Sequence, residues 1–297
     1  MVTLDIKVGY SCNNNCKHCV VGEKRHGFKD RETGEIIEIM NWGRARCDRL
    51  VLTGGEPTIR RDLPELLRHA RSLGYSLNLQ TNARAFSSKK YTEEIIAASG
   101  TDITIVAALL SSDPACHNYI TSADSFKQTF RGIRNLLEAG VREVIINTVV
   151  TKSNYRTFPM HAALLSRIGV HSVQYAFVHA LGNAGENIHS IMPRKSLAAP
   201  YIKIALSVLM QAGVTARCEA MPYCIMRGFE SCISEAYISD MVIADLGISI
   251  LDFTSVRRVE EKLKGGRCPE CAYFNKCEGP WRQYPELFGW DEFEPIT

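Results

Sequence analysis

The chain has 297 residues, 45% of them hydrophobic and 23% charged, with a formal net charge of +3. That length can bury a full core, as one domain of α/β-barrel size or one with a small appendage. The small charge and the lack of a long basic run leave no footprint for nucleic acid, and no apolar stretch reaches the roughly 18 residues of a membrane span.

The N-terminus lacks the charged-then-apolar pattern of a signal segment, so the chain reads as cytoplasmic. Eleven cysteines is an odd number, and they cluster in short spacings. That suits metal sites better than a disulfide framework. Leu4 to Val8 alternates as a first strand, and Cys12-Asn-Asn-Asn-Cys16-Lys-His-Cys19 follows at once. Thiolates are soft ligands suited to iron–sulfur clusters or zinc. A cubane cluster usually takes four cysteines; this run supplies three and leaves one iron open to an outside ligand. The competing reading is a structural zinc knuckle, but zinc usually closes with four ligands in paired knuckles, and no partner knuckle is near.

Gly22 to Arg31 is polar and reads as a loop. Glu35 to Trp42 is a short helix, and Leu50 to Thr53 a buried strand that ends in Gly54-Gly55-Glu56-Pro57-Thr58. Two glycines let backbone approach a ligand closely, and the proline stops the strand.

C-x3-C-x2-C after a first strand, with GGEP at the end of a second, resembles the radical S-adenosylmethionine (SAM) superfamily. The resemblance implies a [4Fe-4S] cluster on Cys12, Cys16 and Cys19, with SAM chelated to the open iron and cleaved on reduction to a 5′-deoxyadenosyl radical that abstracts hydrogen from substrate. It places the SAM amino group against Gly54, Gly55 and Glu56. It also implies a low-potential electron donor, a flavodoxin or ferredoxin.

Arg61 to Leu73 has apolar residues at close to helical period and is closed by Gly74. Ser76 to Gln80 alternates as a strand. Thr81-Asn82 then resembles the family's T-N-G, with Ala83 in place of glycine. Thr92 to Ala98 is helical. Ile103 to Leu110 is nearly all apolar, as in a strand buried on both faces, and ends in Ser111-Ser112-Asp113-Pro114 before His117. In the family a serine slightly earlier touches SAM; this chain has Ala108 there, and Ser111 is the substitute. His117 is either an active-site group or a helix-start histidine. Phe126 to Ala139 is an amphipathic helix. Glu143 to Val150 is a strand with Asn147 inside it, an amide that must be hydrogen-bonded or face a cavity. By resemblance, Asn82, Ser111 and Asn147 are candidates for the SAM ribose and carboxylate. Thr157 to Ile168 is helix and His171 to Val178 strand. His179 follows as a candidate adenine or substrate contact, with a structural role as its alternative. Ser196 to Gln211 is a further helix.

The count is six strand–helix repeats with little sign of a seventh and eighth. Such alternation means parallel strands with helices outside, and sites then gather at the carboxyl ends of the strands. The expected fold is α/β, a partial (β/α)6 TIM-like barrel over residues 1–213 and a small C-terminal cysteine-rich domain over 214–297. In that segment Cys268-x2-Cys271-x5-Cys277 resembles part of the SPASM and twitch extensions, which carry auxiliary iron–sulfur clusters. A full SPASM pattern would have a further cysteine where Trp281 stands, so the one-cluster twitch type is the closer match. It implies a second [4Fe-4S] cluster whose fourth ligand is Cys224, or else Cys218 or Cys232. A zinc-ribbon-like site is the alternative. Cys47 and Cys116 read as ordinary buried thiols.

The resemblance leaves the substrate open, between a peptide or protein side chain and a small metabolite. The chain departs from the molybdopterin-precursor cyclase in its shorter cysteine spacing and its Glu-Pro-Ile-Thr end. It begins at the first strand, so a peptide substrate is expected to need a separate recognition protein or another docking surface. The reading from another class is a non-catalytic iron–sulfur carrier or redox sensor, suggested by Ala83 and Ala108 and opposed by GGEPT.

Overall fold

The computed structural model describes residues 2–297. Its centre is a sheet in the order β7-β6-β5-β4-β3-β2-β1-β8-β9. The strands are β1 (Val2–Lys7), β2 (Arg49–Thr53), β3 (Ser76–Thr81), β4 (Thr104–Ala108), β5 (Glu143–Val150), β6 (Ser172–Phe177), β7 (Thr215–Glu219), β8 (Asp240–Asp245) and β9 (Ile248–Ile250). All neighbours pair in parallel except β8 and β9. The sheet does not close on itself: β7 and β9 are its two edges. A short stretch runs beside β7, with Ile233 bridging Cys218.

The six expected strands are present as a partial TIM-like barrel, and the sheet continues past residue 213. β7 pairs with β6, and β8 returns to pair with β1 on the other side. Period-two reading missed β8 because Met241, Val242, Ile243 and Ala244 are all apolar, as in a strand covered on both faces.

Register explains the two faces. Leu77, Leu79, Ile105, Ala107, Val144, Ile146, Val173, Tyr175, Ala216 and Cys218 are buried and join the helices in one core. Asn78, Val106, Ala108, Asn147, Gln174, Ala176 and Glu219 alternate with them and are only partly covered. They line the inner face of the curved sheet. The helices Thr33–Gly43, Leu63–Ser72, Lys89–Ser99, Phe126–Glu138, Phe158–Ile168 and Lys195–Gln211 lie on the other face. Because β1 to β8 are parallel, every loop that follows one of them emerges at the same rim.

Candidate functional site

The cysteine loop leaves β1 at this rim and is held by its own asparagines. Asn13 Oδ1 accepts from Asn82 Nδ2 at 2.6 Å, which ties the loop to the end of β3. Arg84 Nη1 donates to Asn14 Oδ1 at 2.8 Å. Asn183 Nδ2, in the turn after β6, donates to Asn15 Oδ1 at 3.1 Å and to the Cys16 carbonyl at 2.9 Å. The N–H groups of Asn15 and Lys17 bond to the carbonyls of Thr121 and Ile120. Sequence reasoning missed Arg84 and Asn183; the only signal was three asparagines between two cysteines, residues that bond readily to nearby backbone and side chains.

The three sulfurs are free thiols, none fully buried. Burial, then Cys19 and Cys12 beside it, pushes the Cys16 thiol up to about 12. The neighbouring sulfurs add to the cost of ionising Cys12 and Cys16, a cost that a cationic iron group would relieve. Arg25 Nη2 sits 3.6 Å from Cys19 Sγ, and the Asn14 N–H 3.4 Å from Cys12 Sγ. This donor set fits a cluster with one open corner.

The GGEP loop presses on the same stem. Gly55 and Glu56 donate their N–H groups to the carbonyls of Gly9 and Ser11, both at 2.8 Å. A Cβ on Gly54 would stand 2.2 Å from the Gly9 oxygen, and one on Gly55 2.1 Å from the Ser11 oxygen. Gly54 also has φ +121°, open to glycine alone. So the glycines serve loop-to-loop contact first. Their carbonyl oxygens accept no hydrogen bond from the described residues, which leaves two acceptors for an ammonium group.

Glu56 is not available in that way. It is buried, and Oε1 accepts from Thr58 N–H at 3.0 Å, Thr58 Oγ1 at 2.6 Å and Thr81 Oγ1 at 2.6 Å, while Oε2 accepts from Asn82 N–H at 2.6 Å. Burial raises its pKa and these bonds work against the rise. It locks the β2 and β3 ends together.

Asn82 is shared between Glu56, Asn13 and Arg84 N–H. Ala83 takes φ +60°, which is why glycine suits that position. Ser111 is fully buried; its Oγ accepts from Asp113 N–H at 3.1 Å and lies 3.4 Å from Thr157 Oγ1. It is held in the turn that follows β4. Asn147 is different: it stands opposite Ala108 on the inner face, and its Oδ1 is buried with no partner. His117 is a core residue, with Nδ1 accepting from Leu110 N–H at 3.2 Å and Nε2 3.1 Å from Ser125 Oγ. Burial lowers its pKa to about 4.

The second thiol group lies in the C-terminal segment. Cys224, Cys268, Cys271 and Cys277 line one small cavity, with Tyr223, Phe274, Trp290 and Phe293 around them. Burial, then Cys277, Cys271 and Cys268, pushes Cys224 up to about 12. Backbone N–H groups point at three sulfurs: Gly265 at Cys268 (3.2 Å), Gly279 at Cys277 (3.4 Å) and Ile296 at Cys271 (3.4 Å). Such bonds stabilise thiolates in clusters. Among the described residues no three donors converge as around a single ion; these sulfurs surround a space. Cys218 is sealed in the core and Cys232 lies 3.8 Å from Met210 Sδ, so neither lines it. Cys47 is buried as expected, but Cys116 is only half-buried, its Sγ 3.3 Å from the Ser153 carbonyl.

Between this cavity and the barrel lies an ionic network. Lys262, fully buried, bonds to Glu235 and Glu278, and Arg257 forks onto Glu278 at 2.8 and 3.0 Å. Burial opposes the Glu278 charge, yet Arg257 and Lys262 hold its pKa down to about 2. Trp281, where a further cysteine would stand, is buried, stacks on His179 at 4.0 Å and donates from Nε1 to the Phe177 carbonyl.

A family model described as the radical SAM superfamily matches residues 6–165. The chain belongs to that superfamily. Membership implies a [4Fe-4S] cluster and SAM. Among radical SAM relatives, a probable GTP 3′,8-cyclase of Saccharolobus solfataricus is 28% identical over 181 residues, 60% of this chain and 58% of that protein. The chain thus spans less than two thirds of that relative. The mycofactocin maturase MftC of Mycolicibacterium smegmatis is 22% identical over 309 residues, 94% of this chain and 77% of that protein. In fold, the chain resembles Streptococcus suis SuiB bound to S-adenosylmethionine, with TM-score 0.68, 17% identity, and 99% and 76% of the two chains covered. It also resembles anSMEcpe with bound AdoMet and Cp18Cys peptide, with TM-score 0.66, 14% identity, and 95% and 89% covered. Among the described residues no helix is long and apolar enough to cross a membrane.

Proposed function

We propose that the protein is a radical SAM enzyme with two iron–sulfur sites that transforms a peptide or protein side chain or a small metabolite. When bound and reduced, the cluster and SAM supply a 5′-deoxyadenosyl radical that abstracts hydrogen. Cys12, Cys16 and Cys19 hold that cluster. The free carbonyls of Gly54 and Gly55 take the SAM amino group, Asn147 Oδ1 is the acceptor on the inner face, and Asn82 and Glu56 position the loops. Ser111 serves the turn after β4. Cys224, Cys268, Cys271 and Cys277 hold a second [4Fe-4S] cluster in a C-terminal module. A flavodoxin or ferredoxin supplies the electron.

The observation that carries this reading is the pairing of an open three-thiol loop at the barrel rim with a four-thiol cavity on the same chain. The peptide option gains support from the fold neighbours: SuiB is described bound to precursor peptide SuiA, and the anSMEcpe structure holds a peptide. The test is anaerobic reconstitution, iron content, and 5′-deoxyadenosine release from SAM on reduction. About eight irons with release support two cubanes and cleavage. Failure to bind SAM in calorimetry overturns the enzyme reading.

A further inference from the structure

Glu219 differs from the other glutamate of the rim, Glu56. It ends β7, next to Ala176 on the inner face. One oxygen accepts from Gln174 Nε2 at 2.5 Å, and Gln174 is fixed at its other end by Ser234 Oγ at 3.3 Å. Its second oxygen accepts no hydrogen bond from the described residues and is not one of the sealed, unpartnered atoms. Glu219 is only partly covered on the inner face, whereas Glu56 is buried with both oxygens engaged.

The charges around it come from several elements. Glu235, on the stretch beside β7, is buried; one oxygen serves Ala220 N–H and Lys262, and the other has no partner. Lys262 is committed to Glu235 and Glu278, and Arg257 to Glu278. Lys195, a further buried cation, gives its ammonium to the Ala220 carbonyl at 2.7 Å, and among the described residues none of these cations forms an ion pair with Glu219 itself. Burial first and Glu235 second, with the further like charge of Glu278 adding to them, push its carboxyl up to about 7 against Lys262 and Arg257. Both protonation states are then populated at neutral pH, the condition for proton transfer in either direction. From Glu219 the chain runs directly to Cys224 on the wall of the thiol cavity.

We propose that Glu219 is the proton-transfer group of the substrate pocket, facing a hydroxyl, thiol or amide N–H of a substrate held between the barrel rim and the four-thiol cavity. The substrate X–H bond breaks, its electron pair stays on X, and the proton passes to the free carboxylate oxygen; nothing is oxidised or reduced. This rests on the reading above of the rim as the substrate side.

The test uses reconstituted protein. Infrared difference spectra from about pH 5 to about pH 9 compare wild type, Glu219→Gln and Glu235→Gln. Carbodiimide coupling of methylamine, followed by peptide mass mapping, reads access to each carboxyl. In wild type a carboxylic-acid band is expected with a midpoint near neutral pH. It is absent in Glu219→Gln, and in Glu235→Gln its midpoint falls by about one pH unit as a like charge is removed. Methylamine is expected to couple at Glu219 at least about tenfold more than at Glu56, following their difference in access. A band that persists in Glu219→Gln, or a Glu219 as unreactive as Glu56, overturns the proposal. The coupling arm needs no variant to fold. Iron content and SAM binding of wild type are read separately, so a failure of the radical SAM enzyme reading is distinguished from a failure at Glu219.

Discussion

The two thiol groups solve different problems. The N-terminal three sit on a loop braced from the ends of β3 and β6 by Asn13, Asn15, Asn82 and Asn183, and Cys12 reaches a polar cleft. The C-terminal four line a mostly apolar cavity, and backbone N–H groups address three of their sulfurs. The first offers three thiols beside a polar cleft, the second four around an apolar space. The difference lies in ligand count and in what surrounds the sulfurs, not in the chemistry of cysteine.

The largest effect that tests this contrast is on iron. Cys12/Cys16/Cys19→Ala is expected to lower iron from about eight to about four per chain and abolish 5′-deoxyadenosine release; loss of all iron would merge the two sites into one. Next, Cys224→Ser is expected to empty the C-terminal site while Cys232→Ser leaves iron unchanged. The reverse would move the fourth ligand to a residue now packed on Met210.

Acid separates the two regions. His117 and His161 of the barrel side are buried, with pKa values lowered by burial to about 4 and about 3. A lowered folded pKa means the unfolded chain takes the proton first. Their stability is therefore whole above about 6.5 and is lost as pH falls toward those values, by about 3 kcal/mol for His117 and about 5 kcal/mol for His161 at the low end. Glu278, held at about 2, contributes above its ordinary carboxylate range and fails only as pH falls from about 4.5 toward 2. Hydrogen exchange against pH is expected to show the barrel helices loosening before the Arg257–Glu278–Lys262 network; the opposite order would break the comparison.

Smaller again, Glu56→Gln keeps one oxygen for the Thr58 and Thr81 donors but turns an amide N–H₂ toward the Asn82 N–H. It is expected to cost about 1–3 kcal/mol, read as a fall in Tm, and to weaken SAM binding through the loops. The smallest change is Ala83→Gly. Releasing a left-handed alanine is expected to stabilise by up to about 1 kcal/mol, and a lowered Tm would mean that Ala83 packing outweighs its backbone.

Much of the barrel was legible because its signals are local. Strand and helix periods set β1 to β6, and the Cys12–Cys19 and Gly54–Glu56 spacings marked the rim. β7 escaped because Thr215-Ala-Arg-Cys-Glu219 is short and polar on one face. β8 escaped because an apolar run does not announce its partner, and only pairing with β1 makes it part of the sheet.

At the site, the residue types were determined by sequence alone: three thiols, two glycines, a set of candidate amides and a second cysteine run. Their division of labour was decided by tertiary structure. Glu56 and Glu219 are the same side chain, yet one is filled by donors from β3 and its own loop while the other keeps a free oxygen beside Glu235. Ser111 and Asn147 are both polar residues near strand ends, yet one bonds within its own turn and the other stands on the inner face. Cys224 lines the thiol cavity because the fold brings its loop to Cys268, Cys271 and Cys277, while Cys218 and Cys232 are directed elsewhere. Spacing along a chain fixes which groups are near when they are local; hydrogen-bond satisfaction and burial, which depend on contacts remote in sequence, fix which of them remain free to act.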